Sequence, residues 1–409
     1  MHILLIHQAF VSPNEAGGTR HYELARHLAQ QGHQVTIVAS DLSYLSGQRT
    51  TARPRLVTEE LLEGIQVLRA YTYPALHRSF VWRVVSFLSF MFTSMLAALR
   101  VRDIDVVVGT SPPIFQAVSA WLVAALRRLP FLLEIRDLWP EFAINMAVLK
   151  NPLLIRLSRW LELFLYAQSH HLLVNSPAYM DYMINKGVDE KKITLIPNGV
   201  DPNLFNQEAK SESLRKEWNL DGKFVLTYTG ALGLANDIPT ILKAANRLRE
   251  NPQIHFLLVG DGKERDNLEA LAEQLDLSNV TFTGARPKHE IPEILAASDA
   301  CIAILQDIPM FKTTYPNKVF DYMAAGRPTV LAIDGVIRQV LEKSNGGIFV
   351  RPGNPQALAE AVLILSENRQ RIQAMGEAAR AYVAEHFNRR RQAEQFLQLV
   401  QWLSTARER

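Results

Sequence analysis

Cysteine is almost missing from this sequence: Cys301 is the single thiol in 409 residues. One thiol excludes an internal disulfide framework and any zinc site built from several cysteines. Its surroundings, DACIAIL, are apolar, so a buried and inert thiol is the simpler expectation. An excess of charge of one sign is missing too. The 44 basic and 41 acidic residues leave a net charge of +3, too little to argue for a nucleic-acid partner. That surplus is uneven. Residues 1–180 carry 16 Lys and Arg against 12 Asp and Glu, a balance of +4; the rest carries 28 against 29, a balance of −1. A mildly basic first half suits an anionic membrane surface or a phosphate-bearing substrate, and equally a merely solvated face. Repeats of 20–50 residues and low-complexity tracts are lacking. The start, MHILLIHQAF, has neither the basic stretch nor the cleavage site of a secretory signal, so a cytoplasmic protein is expected.

Long hydrophobic runs are scarce, with one exception. Residues 80–99, FVWRVVSFLSFMFTSMLAAL, contain Arg83 as their single charge. About 20 apolar residues would suffice to span a bilayer. Ser86, Ser89, Thr93 and Ser94 interrupt the run, however, and strand-like segments continue on both sides. Two other readings compete: a buried helix of an α/β domain, or an interfacial helix peripheral on the inner face of the plasma membrane. The second would expose Trp82, Phe87, Phe90, Met91 and Met95, with Arg78, Arg83, Arg100 and Arg102 at phosphate level.

The remaining pattern is a strand–helix alternation carried through twice. Short runs rich in Val, Ile and Leu at 2–6, 34–39, 105–109, 131–135 and 171–174 alternate with helical-period segments at 18–31, 114–127 and 153–168. Buried parallel strands with crossover helices read this way. IPNGVDPNLF (196–205) is the best interdomain boundary, and a second alternation follows at 224–230, 254–260, 279–284, 300–305 and 328–333. The expected architecture is α/β, with two facing Rossmann-like, doubly wound domains and an interdomain cleft. The domains are expected at 1–198 and 199–385, with a closing helix at about 386–409. Ligands of such sheets bind beyond the carboxyl ends of the strands, so the loops there matter most.

Five loops stand out. In HQAFVSPNEAGGTRHYELARHL, Gly17 and Gly18 precede a helix, where a backbone without side chains admits an anion to free N–H groups. A plain loop-to-helix turn reads the same. In FLLEIRDLWPE, a strand ending at Ile135 would deliver Arg136 and Asp137 to the sheet edge. Asp137 could orient an acceptor hydroxyl or take its proton, and Arg136 could hold a phosphate; alternatively the two simply pair. Glu134, inside the strand, reads as structural. YTGALGLANDIPTILKAA places Gly230 and Gly233 before a helix that Asn236 or Asp237 could cap. VGDGKERDNL puts Asp261 between two glycines after a strand, either a tight turn or the border of a nucleotide site. Arg286 and Lys288 follow in FTGARPKHEIPEIL. The fifth loop, TTYPNKVFDYMAAGRPTV, is the most informative. Asn317 and Lys318 fall in the first turn of a helix, offering amides and a cation to a diphosphate, and Asp321 lies one turn on. A carboxylate there could accept two ribose hydroxyls; the plainer alternative is a Lys318–Asp321 surface pair.

Taken in order, AGGTRHYELARHLAQQGHQVTIV, IPNGVD, LVGDGKERDNL, TGARP and PNKVFDYMAAGRPTV resemble the retaining glycosyltransferases of family four, on the two-domain GT-B fold. RDLWPE and the PNKVFDYMA run resemble bacterial surface-polysaccharide enzymes that add an amino sugar to a lipid-linked acceptor. The resemblance implies a nucleotide-diphosphate sugar as donor, UDP-linked or otherwise, no cofactor and no bound metal. It also implies a glycan acceptor on a polyprenyl diphosphate. Gly18 would lie under the donor diphosphate, Lys318 and the backbone at Asn317 would contact it, and Asp321 would bind ribose. One departure is Thr313, where the family's element carries its first Glu; Thr314 or Tyr315 would then contribute. Another is Arg136-Asp137 where many members have His-Asp. Two alternatives remain: a nucleotide-sugar epimerase of the same fold, and a non-catalytic nucleotide-sugar-binding membrane partner. A dinucleotide oxidoreductase is disfavoured, because neither glycine loop has the G-x-G-x-x-G spacing.

Overall fold

The β-branched apolar runs become strands of two separate sheets. In the computed structural model, residues 1–43, 47–50, 55–75, 80–205 and 211–406 are described. The chain divides into two compact units: Met1–Ser12, Thr19–Pro197 and Arg390–Arg409 form one, Pro13–Gly18 and Asn198–Arg389 the other. This departs from the expected domains in two respects: the loop at 13–18 groups with the second unit, and that unit runs on to Arg389 rather than 385.

The first unit holds β1 (His2–Ile6), β2 (Gln34–Ser40), β3 (Val57–Leu62), β4 (Ile65–Ala70), β5 (Val106–Ser111), β6 (Phe131–Ile135), β7 (His171–Val174) and β8 (Ile193–Leu195). They are ordered β3-β4-β2-β1-β5-β6-β7-β8, parallel except for the β3–β4 hairpin. Glu63 and Gly64 turn that hairpin with φ of 46° and 84°, the positive values a two-residue turn between twisted strands requires. Alternate residues face opposite sides. Ile3, Leu5, Val35, Ile37, Val106 and Val108 pack under Tyr22, Leu24 and Leu28 of the Arg20–Gln30 helix. Phe396, Leu399, Val400 and Leu403 of the closing Arg389–Ala406 helix complete the same core.

The Phe80–Ala98 helix covers the sheet together with its neighbour Ile114–Arg127. Its hydroxyls are engaged inside the protein: Ser89 Oγ accepts from Tyr73 N at 2.8 Å, Thr93 Oγ1 donates to Tyr71 O at 2.7 Å, and Ser94 Oγ lies 3.2 Å from Ser119 Oγ. Val81–Ala98 is long and apolar enough to cross a membrane, with a third of it buried in the fold. The expected membrane-facing set needs correction. Phe90 is fully buried, Phe87, Met91 and Met95 are half-buried, and the exposed apolar residues are Val81, Trp82, Phe92 and Leu96. Packing on the sheet, which hydropathy does not register, rotates the helix to this face. Arg78 lies outside the described residues.

The second unit holds β9 (Phe224–Thr229), β10 (Ile254–Val259), β11 (Val280–Gly284), β12 (Ala300–Ile304), β13 (Thr329–Ala332) and β14 (Gly347–Phe349). All pair in parallel in the order β11-β10-β9-β12-β13-β14. This is the dinucleotide-fold order, and its strand direction of travel reverses between β9 and β12. In the first unit the same reversal falls between β1 and β5. Cys301 is buried in β12, where desolvation pushes its thiol well above the usual range and leaves it unreactive.

Candidate active site

In the second unit the reversal point is occupied by Gly230, directly after β9. Its φ of 139° is one that side-chain-bearing residues rarely adopt. A Cβ there would also stand 2.7 Å from Lys318 Nζ, so the amine lies directly against this turn of backbone. Lys318 arrives from the Asn317–Ala324 helix, which Val319, Phe320, Tyr322 and Met323 anchor in the core. Tyr322 Oη accepts from Thr229 N at 2.8 Å and ties that helix to the end of β9. Lys318 Nζ sits 3.9 Å above the ring of Tyr228. Among the described residues it has no carboxylate partner, and desolvation lowers its amine to about 7. An amine held here without a carboxylate is one that a bound anion would charge and pair with.

Asp321 does not pair with Lys318, contrary to the plainer sequence reading. Its carboxylate takes Lys288 Nζ at 2.6 Å. Gly18 belongs to this unit, and a Cβ on it would stand 3.3 Å from Asn317 Nδ2. Asn317 Oδ1 is buried without a hydrogen-bond partner, an acceptor left open beside the lysine in the first helical turn. Gly17 has a φ of 144°. Gly233 opens a short helical turn with nothing within 4 Å of its would-be side chain.

Other expected donor contacts prove to be engaged by the protein itself. Cβ atoms on Gly260 and Gly262 would lie 1.8 Å from Gly230 O and 2.4 Å from Leu232 O. Those glycines therefore serve the close approach of two loops. Asp261 Oδ1 accepts from Gly262 N at 2.7 Å, and its other oxygen is 3.6 Å from Arg265. Arg286 reaches Glu290 at 3.6 Å and lies over Trp218, while its Nε is buried without a partner. Thr313 and Thr314 hydroxyls donate to Met310 O and Phe311 O at 2.6 and 2.9 Å. The Tyr315 ring packs on Phe320 and Phe387. Asp237 takes a left-handed conformation at its helix start and binds the Thr240 hydroxyl at 2.7 Å, rather than capping an amide with its side chain.

In the first unit the reversal point between β1 and β5 gathers a cluster of which the sequence singled out Arg136 and passed over His7 and Thr110. His7 follows β1, Thr110 lies near the end of β5, and Arg136 follows β6. Arg136 Nη1 is 3.1 Å from His7 Nε2, and His7 Nδ1 is 2.8 Å from Thr110 Oγ1. A guanidinium only donates, so His7 Nε2 must present a lone pair and Nδ1 must carry the proton, donated to Thr110. Desolvation, then the neighbouring His21 and Arg136, hold His7 well below its ordinary pKa, consistent with a neutral ring. Beneath it lies Glu134, fully buried, with Arg20 Nε at 2.9 Å and His21 Nε2 at 2.6 Å. Burial alone would raise Glu134, but His21 and Arg20 outweigh it and the carboxyl ends well below the usual range. His21 is itself lowered, chiefly by burial and against the pull of Glu134, so Arg20 is the permanent cation of the cluster.

Asp137 is solvent-exposed but crowded. Desolvation raises its carboxyl, against the pull of Arg136 and of the Tyr179 hydroxyl at 3.3 Å. Arg136 has no carboxylate within ion-pair distance among the described residues, so the expected alternative of a simple Arg136–Asp137 pair is not what forms. A guanidinium oriented by a neutral imidazole keeps its full charge for something else. Among the described residues no group of three His, Cys, Asp or Glu side chains is placed to hold a metal.

Two largely parallel sheets, each reversing its direction of travel beside a loop that carries candidate residues, are the architecture of a two-Rossmann-domain protein. Comparison with known proteins specifies it further. Residues 16–199 match the glycosyl transferase 4-like domain, and residues 210–382 match the glycosyl transferases group 1 family. The chain belongs to this glycosyltransferase family. It is 26% identical to a colanic acid biosynthesis glycosyl transferase, WcaI, of Escherichia coli K12, over 88% of this chain and 91% of that one. It is 26% identical to the amylovoran biosynthesis glycosyltransferase AmsK of Erwinia amylovora, over 59% and 58%. Sucrose-phosphate synthase from Thermosynechococcus elongatus shares the fold with a TM-score of 0.78 at 20% identity, covering 99% of both chains. The fold is thus GT-B, with two Rossmann-like domains.

Proposed function

We propose that this glycosyltransferase moves a sugar from a nucleoside-diphosphate sugar to a lipid-linked glycan in surface-polysaccharide synthesis, with retention at the anomeric carbon. The observation that carries the donor half is Lys318: a desolvated amine without a carboxylate, resting on Gly230 at the reversal point of its sheet. In the reaction the bond between the anomeric carbon and the diphosphate breaks, and an acceptor oxygen takes the phosphate oxygen's place. Lys318 and the amides at the start of its helix stabilise the charge growing on the leaving diphosphate. No step in this reading needs a bound metal or a cofactor. Gly17, Gly18 and Gly233 let backbone approach the donor, with Asn317, Asp261 and Arg286 bordering it. Asp321, steadied by Lys288, accepts ribose hydroxyls. Asp137 orients the acceptor hydroxyl and takes its proton, a task its raised carboxyl suits, and Arg136 holds an anionic group of the acceptor.

Support for the polysaccharide setting comes from the relatives named for colanic acid and amylovoran biosynthesis. Support for the donor class comes from an Anabaena protein, HepE, of 0.73 TM-score and 18% identity, solved with UDP-glucose. A cytoplasmic enzyme attached to the membrane surface through residues 80–99 accompanies this reading.

A panel of UDP-, GDP- and dTDP-sugars, scored by thermal unfolding, tests it. A donor at a hundred times its Kd stabilises by about 2.7 kcal/mol and raises Tm by several degrees. If no nucleotide sugar in the panel moves Tm, the donor assignment fails. A panel hit that is isomerised in the absence of any acceptor would point to the epimerase instead. With the donor known, Asp321→Asn is expected to weaken its binding by roughly tenfold or more, the usual worth of a hydrogen bond to a charged group. Calorimetry with unchanged affinity would remove Asp321 from the ribose site.

A further inference from the structure

Exposed large apolar side chains are unevenly spread over the molecule. Of eighteen among the described residues, eleven fall between Val81 and Leu163. The densest group sits on the Pro152–Gln168 helix, where Leu153, Leu157 and Trp160 are 64%, 52% and 61% exposed and Leu154 and Leu163 are exposed as well. The inner face of this helix is fully engaged. Glu162, Leu165 and Tyr166 are buried and Glu162 holds Lys186 at 2.5 Å, whereas Phe164, one turn on from Trp160, stacks on that ring at 5.4 Å and meets Trp121 edge-on at 4.8 Å. Leu153, Leu157 and Trp160 recur at i, i+4 and i+7, so they share the opposite face. Apolar clusters of this kind on a soluble domain mark an interaction surface.

Charge selects the occupant. Residues 142–161 contain no Asp or Glu but carry Lys150, Arg156 and Arg159. Arg159 is held by Glu141 at 2.8 Å, whereas Lys150 and Arg156 are exposed with no carboxylate partner among the described residues. The Ile114–Arg127 helix packs against both this helix and Phe80–Ala98, so Val81, Trp82, Phe92, Leu96 and Arg83 belong to the same helical layer. Apolar side chains fringed by unpaired cations, with acidic groups withheld, match the interface of an anionic bilayer.

We propose that the outer face of the Pro152–Gln168 helix docks on an anionic phospholipid surface. Leu153, Leu157 and Trp160 enter below the headgroups, and Lys150 and Arg156 meet the lipid phosphates. This surface is distinct from the 80–99 stretch that hydropathy singles out, and it does not depend on the donor reading. The test is cosedimentation of the full chain with vesicles of phosphatidylcholine alone and of equal parts phosphatidylcholine and phosphatidylglycerol. The wild type is expected to bind the mixed vesicles, more weakly as salt rises, and the neutral ones poorly. L157S/W160S should lower partitioning at least about tenfold, the loss expected for two buried side chains. K150E/R156E should abolish the preference for the anionic vesicles. Both variants alter exposed positions, so unchanged thermal unfolding serves as the control. Partitioning of L157S/W160S equal to the wild type, or no binding of the wild type to either vesicle, overturns the proposal. So does a dimer in sedimentation velocity that L157S/W160S dissolves without any vesicle binding, which would assign the face to a second copy.

Discussion

Lys318→Ala is expected to lower sugar transfer by about 10²–10³-fold, the usual loss when one pre-organised donor to a developing oxyanion is removed. The same substitution should leave the fold intact and make it more stable. Folding carries this amine from water to a desolvated position over Tyr228, where its pKa falls to about 7. A depressed lysine costs stability fully below the folded value, and the cost fades as pH rises from 7 towards the ordinary value near 10.4. The gain in Tm should therefore be largest below pH 7 and vanish in alkali. Lost turnover together with gained stability marks a residue kept for function. Near-normal transfer, or a stability gain independent of pH, would count against the role. A purely structural lysine would show neither pattern.

The second large effect concerns Glu134→Gln, and it is one of stability. The substitution leaves Arg20 charged, buried and without its carboxylate, although Pro197 O and Ile196 O still accept from it at 2.7 and 2.8 Å. Breaking a buried pair by removing one partner costs about 3–5 kcal/mol. In a unit of this size that is a drop in Tm on the order of 10 °C for the transition of the first unit. The sign of the pH dependence follows from the depressed carboxyl. Its contribution is present above the ordinary Glu pKa and is lost as pH falls below about 4. Acid should therefore narrow the gap between wild type and variant. A shift of only a degree or two, measured by scanning calorimetry at neutral pH, would mean that the two carbonyls alone satisfy Arg20.

Much of the fold was legible because buried parallel strands announce themselves as short apolar runs, and β1, β2, β5, β6 and β7 all do so. The β3–β4 hairpin did not. VTEELL is an edge strand with polar residues outward, and no apolar run marks it. Lys318 was legible from its place in a helix's first turn after Pro316. What the amine rests on was not, because Tyr228 and Gly230 are some ninety residues away in the chain. The same distance problem hid the Arg20–Glu134 pair and the partners of His7, although a histidine placed just after the first strand was itself a usable signal. Gly260 and Gly262 read as a tight turn or as the border of a nucleotide site, and only the fold shows that two backbones meet there. The outer face of Pro152–Gln168 escaped notice because both faces of that helix are apolar, so periodicity alone does not say which one is covered.

If Lys318 receives the diphosphate of a nucleotide sugar, donor binding must be linked to proton uptake. A free amine at about 7 is mostly neutral at pH 8 and mostly charged at pH 6. Binding a dianionic diphosphate favours the charged form and raises the pKa. Titration calorimetry of the best-stabilising nucleotide sugar, run in buffers of different ionisation enthalpy, counts the protons exchanged. Uptake of close to one proton is expected at pH 8 and little at pH 6, with the pH 8 uptake absent in Lys318→Ala. Tight binding at pH 8 with no proton taken up by the wild type would contradict that role for Lys318.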